Sequence, residues 1–376
     1  MLRKAAFVYD DALARHVLSQ EHPLKAVRLK YTYELLESYG AFQAPTAVVV
    51  EPRMATEEEV LAFHTRAYLD AVKGLSRGDR SVGGSAFGFG PGDNPVFQGV
   101  YEAASLSTGA SLRGAELVAS GEADAALSIS GGLHHAMPAR ASGFCVFNDP
   151  VLAIMQLVDR GMRVAYVDID CHHGDGVQHA FYDTDEVLTI SIHESGEFIF
   201  PGTGFTRETG VGKGQGYAVN VTLYPHTTDD IYLWAFRQVV PPLLEAYRAD
   251  VLVTQLGIDS HFRDPITHLA LTVQGFGEAV AEFPRFAPKW LALGGGGYDI
   301  QTVARAWTLA FGIMSEHQMP DDIPPSYRSM YGVSSLRDVD EPPVAAAIRK
   351  EARIFAENSV GAVQRLIFPI HGLRSG

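Results

Sequence analysis

Six of the fourteen histidines in this 376-residue chain fall between His134 and His193, and four of them form two adjacent pairs, His134-His135 and His172-His173. Each pair directly follows a short apolar run, Ala125–Ser130 or Arg163–Asp170. In the string VDIDCHHGDG, Val167 to Gly176, an extended backbone alternates its side chains, so Asp168, Asp170 and His172 project to one side. A buried row of two carboxylates and an imidazole costs free energy unless a cation neutralises it. Such donors suit zinc or a similar divalent ion, and iron(II) would fit the same ligands. A catalytic zinc site takes about three protein ligands and keeps a position open for water. The third ligand must come from another strand end. Asp259 in QLGIDS closes the apolar run VLVTQLGI and is the best-placed carboxylate. One aspartate after a strand is more often a cap or a turn residue; the company around Asp170 is what points to a metal.

His134 and His135 follow the turn Ser130-Gly131-Gly132-Leu133. A general base must reach the water it activates and must be oriented by a partner on its other ring nitrogen. Asp168 and Asp175 are spare carboxylates in the same neighbourhood. A run of four glycines, Gly294 to Gly297, follows the apolar WLAL and ends in Tyr298. Glycines let backbone approach a ligand closely, and the tyrosine could present its hydroxyl to a developing oxyanion. The run Gly210 to Gly216 (GVGKGQG) lacks the glycine spacing and the Ser/Thr of a phosphate loop and reads as structural.

The elements that position these residues are legible as apolar runs: Thr46–Val50, Ala125–Ser130, Arg163–Asp170, Val187–Ile192, Val251–Leu256 and Trp290–Leu293. Rich in Val, Ile and Leu with little alternation, they match strands buried on both faces of a parallel sheet. Helical patterns lie between them at Leu24–Tyr39, Pro150–Arg160 and Asp229–Tyr247, the last with Pro241 and Pro242 expected to break or kink it. The alternation predicts a single α/β domain with a doubly wound, mostly parallel sheet and helices on both faces, its ligands at the carboxyl ends of the strands. Residues 1–318 form the expected catalytic domain, and residues 319–376 a helical extension packed on it, with one amphipathic helix over Pro343–Ile367 softly interrupted at Gly361.

Net charge is −14, and Lys/Arg clusters of the kind that bind nucleic acid are missing. The two cysteines, Cys145 and Cys171, suit a reducing compartment, and no run reaches the ~20 apolar residues of a membrane span. The expectation is a cytoplasmic protein without nucleic-acid or membrane partners.

Taken together, the strings SGGLHHA, GFCVFND, VDIDCHHGDGV, SIHESGEFIFPGTG, QLGIDS and LGGGGY resemble, in order and spacing, the zinc-dependent histone deacetylase family, and within it the bacterial acetoin utilisation proteins. The resemblance spans roughly residues 5 to 315, HTRAYLDAV from His64 included. It implies zinc ligands Asp170, His172 and Asp259, the set also read from side-chain alternation. It implies that His135, paired with Asp175, is the general base and acid, that His134, paired with Asp168, is its electrostatic partner, and that Tyr298 donates to the carbonyl oxygen. Gly143, Phe144 and Phe200 would line a narrow channel for an acyl-lysine. Asp93 would hold the substrate backbone at the rim, and Arg28 would line an internal cavity. Two potassium sites are implied, one using Asp168, Asp170, His172, Ser191 and Ile192, the other Phe181, Thr184, Val187 and Tyr217.

Two positions depart from relatives. Gly92 precedes the rim aspartate where an aromatic residue often stands, implying looser recognition. Ile266 stands where polyamine-cleaving relatives can carry a carboxylate, and an aliphatic side chain cannot attract a second ammonium. The implied activity is hydrolysis of acetyl-lysine in proteins, an acyl-CoA synthetase of acetoin or acetate metabolism being one guess at the substrate. The competing readings are a small-molecule deacetylase, such as an acetylpolyamine hydrolase, and a non-catalytic acetyl-lysine binding module. Oligomeric state is not legible.

Overall fold

A computed structural model describes residues 4–16, 18–286 and 288–374. Among the described residues, eight strands form one sheet: β1 (Ala5–Val8), β2 (Ala47–Val50), β3 (Ala125–Ser128), β4 (Val164–Asp168), β5 (Val187–Glu194), β6 (Ala218–Leu223), β7 (Val251–Gln255) and β8 (Lys289–Leu293). Their order across the sheet is β2-β1-β3-β8-β7-β4-β5-β6, with every neighbouring pair parallel. The helices are α1 (Val27–Ser38), α2 (Glu57–Val60), α3 (Arg66–Ser76), α4 (Val100–Ser120), α5 (Asp149–Val158), α6 (Asp175–Ala180), α7 (Asp229–Tyr247), α8 (Val273–Glu282), α9 (Ile300–Met314), α10 (Pro325–Tyr331) and α11 (Ala346–Leu366).

The helices fall into two layers. α4 packs on β1, β3 and β8 and against α3 and α5, while α1, α9, α8, α7 and α11 follow one another in a second packed series. Strands β3, β4 and β7 are buried at every residue, as continuous apolar runs between two helical layers must be. The doubly wound α/β fold expected from the sequence is therefore the fold observed, and all six anticipated runs are strands.

Helices α3, α8 and α9 were not anticipated, and three further features differ from the sequence reading in an instructive way. β1 and β6 were not anticipated: AAFV is short, and AVNVTL carries Asn220 and Thr222 inside an apolar frame. The 21-residue α4 was missed because it is built from Ala, Ser and Gly and shows no broad apolar stripe. Its small residues serve close approach, since a Cβ on Gly109 would lie 1.8 Å from the carbonyl oxygen of Arg53. Finally, α7 runs through Pro241 and Pro242 without breaking. Val239, Val240, Leu243 and Leu244 on either side are buried, and that packing outweighs the lost backbone hydrogen bonds.

The tail forms α11, with Gly361 inside it, lying along β6 and α7. Edge strands leave N–H and C=O groups unpaired. Here Ser359 Oγ of α11 accepts the Thr222 N–H of β6 at 2.9 Å, so the helix covers that edge. No helix among the described residues is long and apolar enough to cross a membrane.

Candidate active site

The four central strands, β3, β8, β7 and β4, deliver the site from their carboxyl ends. His134 and His135 follow β3, Tyr298 follows β8, Asp259 follows β7, and Asp170 and His172 follow β4. The chain passes from β3 to β4 across a gap that β7 and β8 later fill, which makes this the switch point where an open α/β sheet binds ligands.

Asp170, His172 and Asp259 converge there with their donor atoms all within 4.8 Å of one another. His172 Nδ1 stands 3.2 Å from Asp170 Oδ1 and 3.0 Å from Asp259 Oδ2. The opposite oxygens are held by N–H groups. Asp170 Oδ2 accepts from Gln255 Nε2 and from the Gly296 N–H, both at 2.7 Å, and Asp259 Oδ1 accepts from the Cys171 N–H at 2.8 Å. Gly257 and Gly296 allow the crowding: a Cβ on either would meet an aspartate oxygen at 2.1 or 2.0 Å. Burial, reinforced by the Asp170 charge, pushes Asp259 up to about 6.

The two imidazoles beside this cluster are each fixed by a carboxylate. His134 Nδ1 lies 2.7 Å from Asp168 Oδ2, and His135 Nδ1 lies 2.7 Å from Asp175 Oδ1. Their Nε2 atoms face each other at 3.0 Å. Asp168 also accepts a hydrogen bond from the Tyr166 hydroxyl at 2.6 Å. Burial works against charging both rings, but around His134 the Asp168 and Asp170 carboxylates outweigh it and hold the ring up at about 9. At His135, burial and then the positive His134 push the ring down to about 4. The carboxylates thus favour the charged form of His134 while burial favours the neutral form of His135, a division typical of acid–base sites.

Two aromatic walls rise from this floor. The Phe144 ring packs edge-on against Tyr298 at 5.7 Å, and the Phe200 ring edge-on against His135 at 5.0 Å. Gly143 has φ +50°, and a Cβ there would lie 2.4 Å from the His135 ring and 2.9 Å from that of Phe200. Phe144 itself takes a positive φ of 68°, a conformation that costs free energy in an aromatic residue and holds its ring over the site. Asp93 is exposed at the same side: its carbonyl accepts from His22 Nε2 at 3.1 Å, and the His22 ring packs against Phe144 at 4.6 Å. Ile266 is 37% exposed. Arg28 is buried and donates to the carbonyls of Gly297 at 2.9 Å and Gly295 at 2.7 Å, pinning the glycine run that carries Tyr298. It also lines an adjoining cavity of ≈ 70 Å³, together with Leu24, Leu133 and Phe144.

A protein-family profile described as "Histone deacetylase domain" matches residues 22–314. The chain is 42% identical over 337 residues to the acetoin utilization protein AcuC of Bacillus subtilis (strain 168), covering 85% of this chain and 86% of that one. It is 38% identical over 325 residues to histone deacetylase 1 of Homo sapiens, 86% of this chain and 67% of that one. Among solved structures, a histone deacetylase homologue from Aquifex aeolicus superposes with a TM-score of 0.86 at 29% identity, covering 95% of this chain and 100% of that chain. A homologue complexed with SAHA superposes with the same values.

The chain belongs to the histone deacetylase family. Its coarse activity follows: it is a deacetylase, and hence a hydrolase.

The Asp170, His172 and Asp259 cluster fits the divalent metal that such an enzyme implies. Two buried carboxylates and an imidazole turn one donor atom each toward a common point while protein N–H groups neutralise the other carboxylate oxygens, which is how a cation site is held rigid.

The other anticipated residues lie in two places. Ser191 pairs in register with Asp168, and Ile192 follows it, so the first potassium set lies at the carboxyl ends of β4 and β5. Phe181, Thr184, Val187 and Tyr217 lie at the opposite end of the sheet, where Val187 opens β5 and Tyr217 directly precedes β6.

Several supporting residues escaped the sequence reading. Asp149 accepts the N–H groups of Gly132 and Leu133 at 2.9 Å each and the Ser111 hydroxyl at 2.6 Å, fixing the turn before the histidine pair. Asn148 Nδ2 donates to the carbonyls of His134 and Ala136, and the Asn148 N–H is accepted by His64 Nε2 at 3.0 Å. Asp264 accepts the Tyr298 N–H at 2.9 Å and the Ile266 N–H at 3.0 Å. Burial and the nearby Asp259 push its carboxyl up to about 8. The string GFCVFND contained Asn148 and Asp149, and Asp264 stands two residues before Ile266, but nothing in a linear sequence marks which aspartate reaches a distant N–H.

Proposed function

We propose that this deacetylase removes acetyl groups from lysine side chains of proteins, using zinc held by Asp170, His172 and Asp259. The observation that carries the reading is the convergence of that cluster with two carboxylate-bound imidazoles and a half-buried tyrosine at the foot of an aromatic channel. Zinc held there would supply Lewis acidity, making the amide carbonyl a stronger electrophile and the attacking water more acidic.

The chain's own residues do the rest. Neutral His135, oriented through Nδ1 by Asp175, takes the proton of the attacking water on Nε2 and later gives it to the leaving amine. Cationic His134, held by Asp168, adds positive charge where the oxyanion develops. Burial pushes the Tyr298 hydroxyl well above its ordinary value, so it stays protonated and donates to that oxyanion. Phe144 and Phe200 take the methylene stem of the acyl-lysine, and Asp93 the substrate backbone. Iron(II) is the alternative metal, and the two potassium sets belong to the same proposal as structural sites.

Likeness to an acetoin utilisation protein supports an acetylated enzyme of acetoin or acetate metabolism, such as an acyl-CoA synthetase, as the substrate. Two buried free cysteines accord with a cytoplasmic setting. In this reading residues 1–318 are the catalytic domain, and residues 319–376 an extension packed on it. Exposed, aliphatic Ile266 speaks against a polyamine.

The test is turnover of acetyl-lysine peptides beside acetylated polyamines, with and without a chelator. Chelator-sensitive release of acetate from the peptides is expected. A clear preference for the polyamines moves the assignment to small amides, and no hydrolysis of either revives a binding module.

A further inference from the structure

Phe200 borders a second recess besides the channel. With Pro201, Met137, Arg140, His179 and Tyr182 it lines a groove of ≈ 490 Å³ that also reaches Asp175. The two acids of this groove keep their negative charge but are held by hydrogen bonds within the fold. Asp175 accepts from His135 and from the Gly176 N–H, and Glu208 accepts from Gln178 and from the N–H groups of Gly204 and Phe205. His173 is bonded at both ring nitrogens. Two exposed donors remain. Arg140 and His179 have no ion pair and no side-chain hydrogen bond among the described residues. Arg140 is also well placed. A tight turn closes between Met137 and Arg140 through backbone hydrogen bonds of 3.0 and 3.4 Å, five residues after His135, so its Cα cannot drift from the channel mouth.

We propose that this groove is the subsite for a residue flanking the acyl-lysine and that it selects a carboxylate side chain, an inference that rests on the protein-substrate reading above. Phe200 is the shared wall: a peptide whose lysine stem lies along one part of the ring sets its neighbouring side chain beside Arg140. The chain as a whole carries −14 and repels acidic peptides at long range. An unpaired guanidinium at the mouth reverses that preference locally. It acts opposite Asp93, which stands on the Phe144 side, so the mouth has a positive and a negative bank that orient an extended peptide.

The experiment uses the metal-loaded full chain and acetyl-lysine peptides identical except for Glu, Gln or Lys in the positions flanking the acyl-lysine. The readout is the ratio of kcat/KM between peptides, so it is insensitive to the amount of active protein. Wild type should favour Glu over Lys by roughly three- to fivefold, the scale of a partly exposed ion pair, and added salt should shrink the ratio. The ratio should flatten in Arg140→Gln and invert in Arg140→Glu. Equal rates on all peptides, or a Glu preference that survives Arg140→Glu, overturns the subsite and leaves the deacetylase assignment standing. No turnover of any peptide overturns the protein-substrate reading and the subsite with it.

Discussion

At the floor of the channel Asp170 and Asp259 are 1% and 0% exposed, and an oxygen of each is held by N–H groups. At its rim Phe200 and Ile266 are 43% and 37% exposed, and Asp93 stands in solvent. The floor is over-determined, since its carboxylates and its paired histidines each have partners set by the fold, and exchanging one leaves another buried and unpaired. The rim is held by backbone turns, and its side chains are free to vary. Chemistry is fixed at one level and substrate choice at the other.

The sharpest way to break the contrast is at the floor. Asp259→Asn removes one of the two carboxylate charges of the cluster. Bound metal, measured by elemental analysis, should fall well below one ion per chain, and turnover by more than about 10³-fold. Full metal content with wild-type activity would remove Asp259 from the site. Tyr298→Phe leaves the cluster intact and should lower kcat by about 10²–10³-fold, the usual cost of one oxyanion donor. A loss under tenfold would show that the hydroxyl does not reach the reacting oxygen.

A third test probes the support beneath the floor. His64 is buried, and its neutral ring accepts the Asn148 N–H, so burial pushes it down from 6.5 to about 4. The unfolded chain therefore binds more protons between those values. The stabilisation is complete above pH 6.5 and is lost as pH falls toward 4, about 3 kcal/mol in all. Urea unfolding from pH 7 to 4.5 should show the stability gap between wild type and His64→Gln closing as pH falls; a gap independent of pH would contradict it. The smallest effect is expected at the rim. Ile266→Glu should leave peptide turnover within a few-fold and raise kcat/KM on acetylated polyamines by up to roughly tenfold, the worth of one new charge contact. Unchanged selectivity would mean that Ile266 does not face the substrate.

The same contrast explains what was legible in the sequence. Asp170 and His172 share a face of one extended segment, and Asp259 ends another apolar run, so alternation and position alone found the three residues that converge. Five of the six runs found buried strands, β3, β8, β7, β4 and β5, because strands covered on both faces must be continuously apolar; the sixth, Thr46–Val50, is the half-exposed edge strand β2. What escaped depends on long-range partnership. Asp149 and Asp264 look like turn residues until the fold brings Gly132 and Tyr298 to them. Helix α4 escaped because its alanines and glycines encode proximity to neighbouring backbone and carry no amphipathic signal. Pro241 and Pro242 misled because tertiary packing overrode a local preference.

The order of the central strands has a further consequence. β7 and β8 insert between β3 and β4 although they come later in the chain, so the candidate ligands that follow β4 and β7 meet only when β7, which begins at Val251, has been threaded into the sheet. A ribosome-bound nascent chain that has emerged only through β6 holds two of the three candidate donors, Asp170 and His172, and lacks Asp259. A metal held by this cluster would therefore report that β7 has taken its place beside β4.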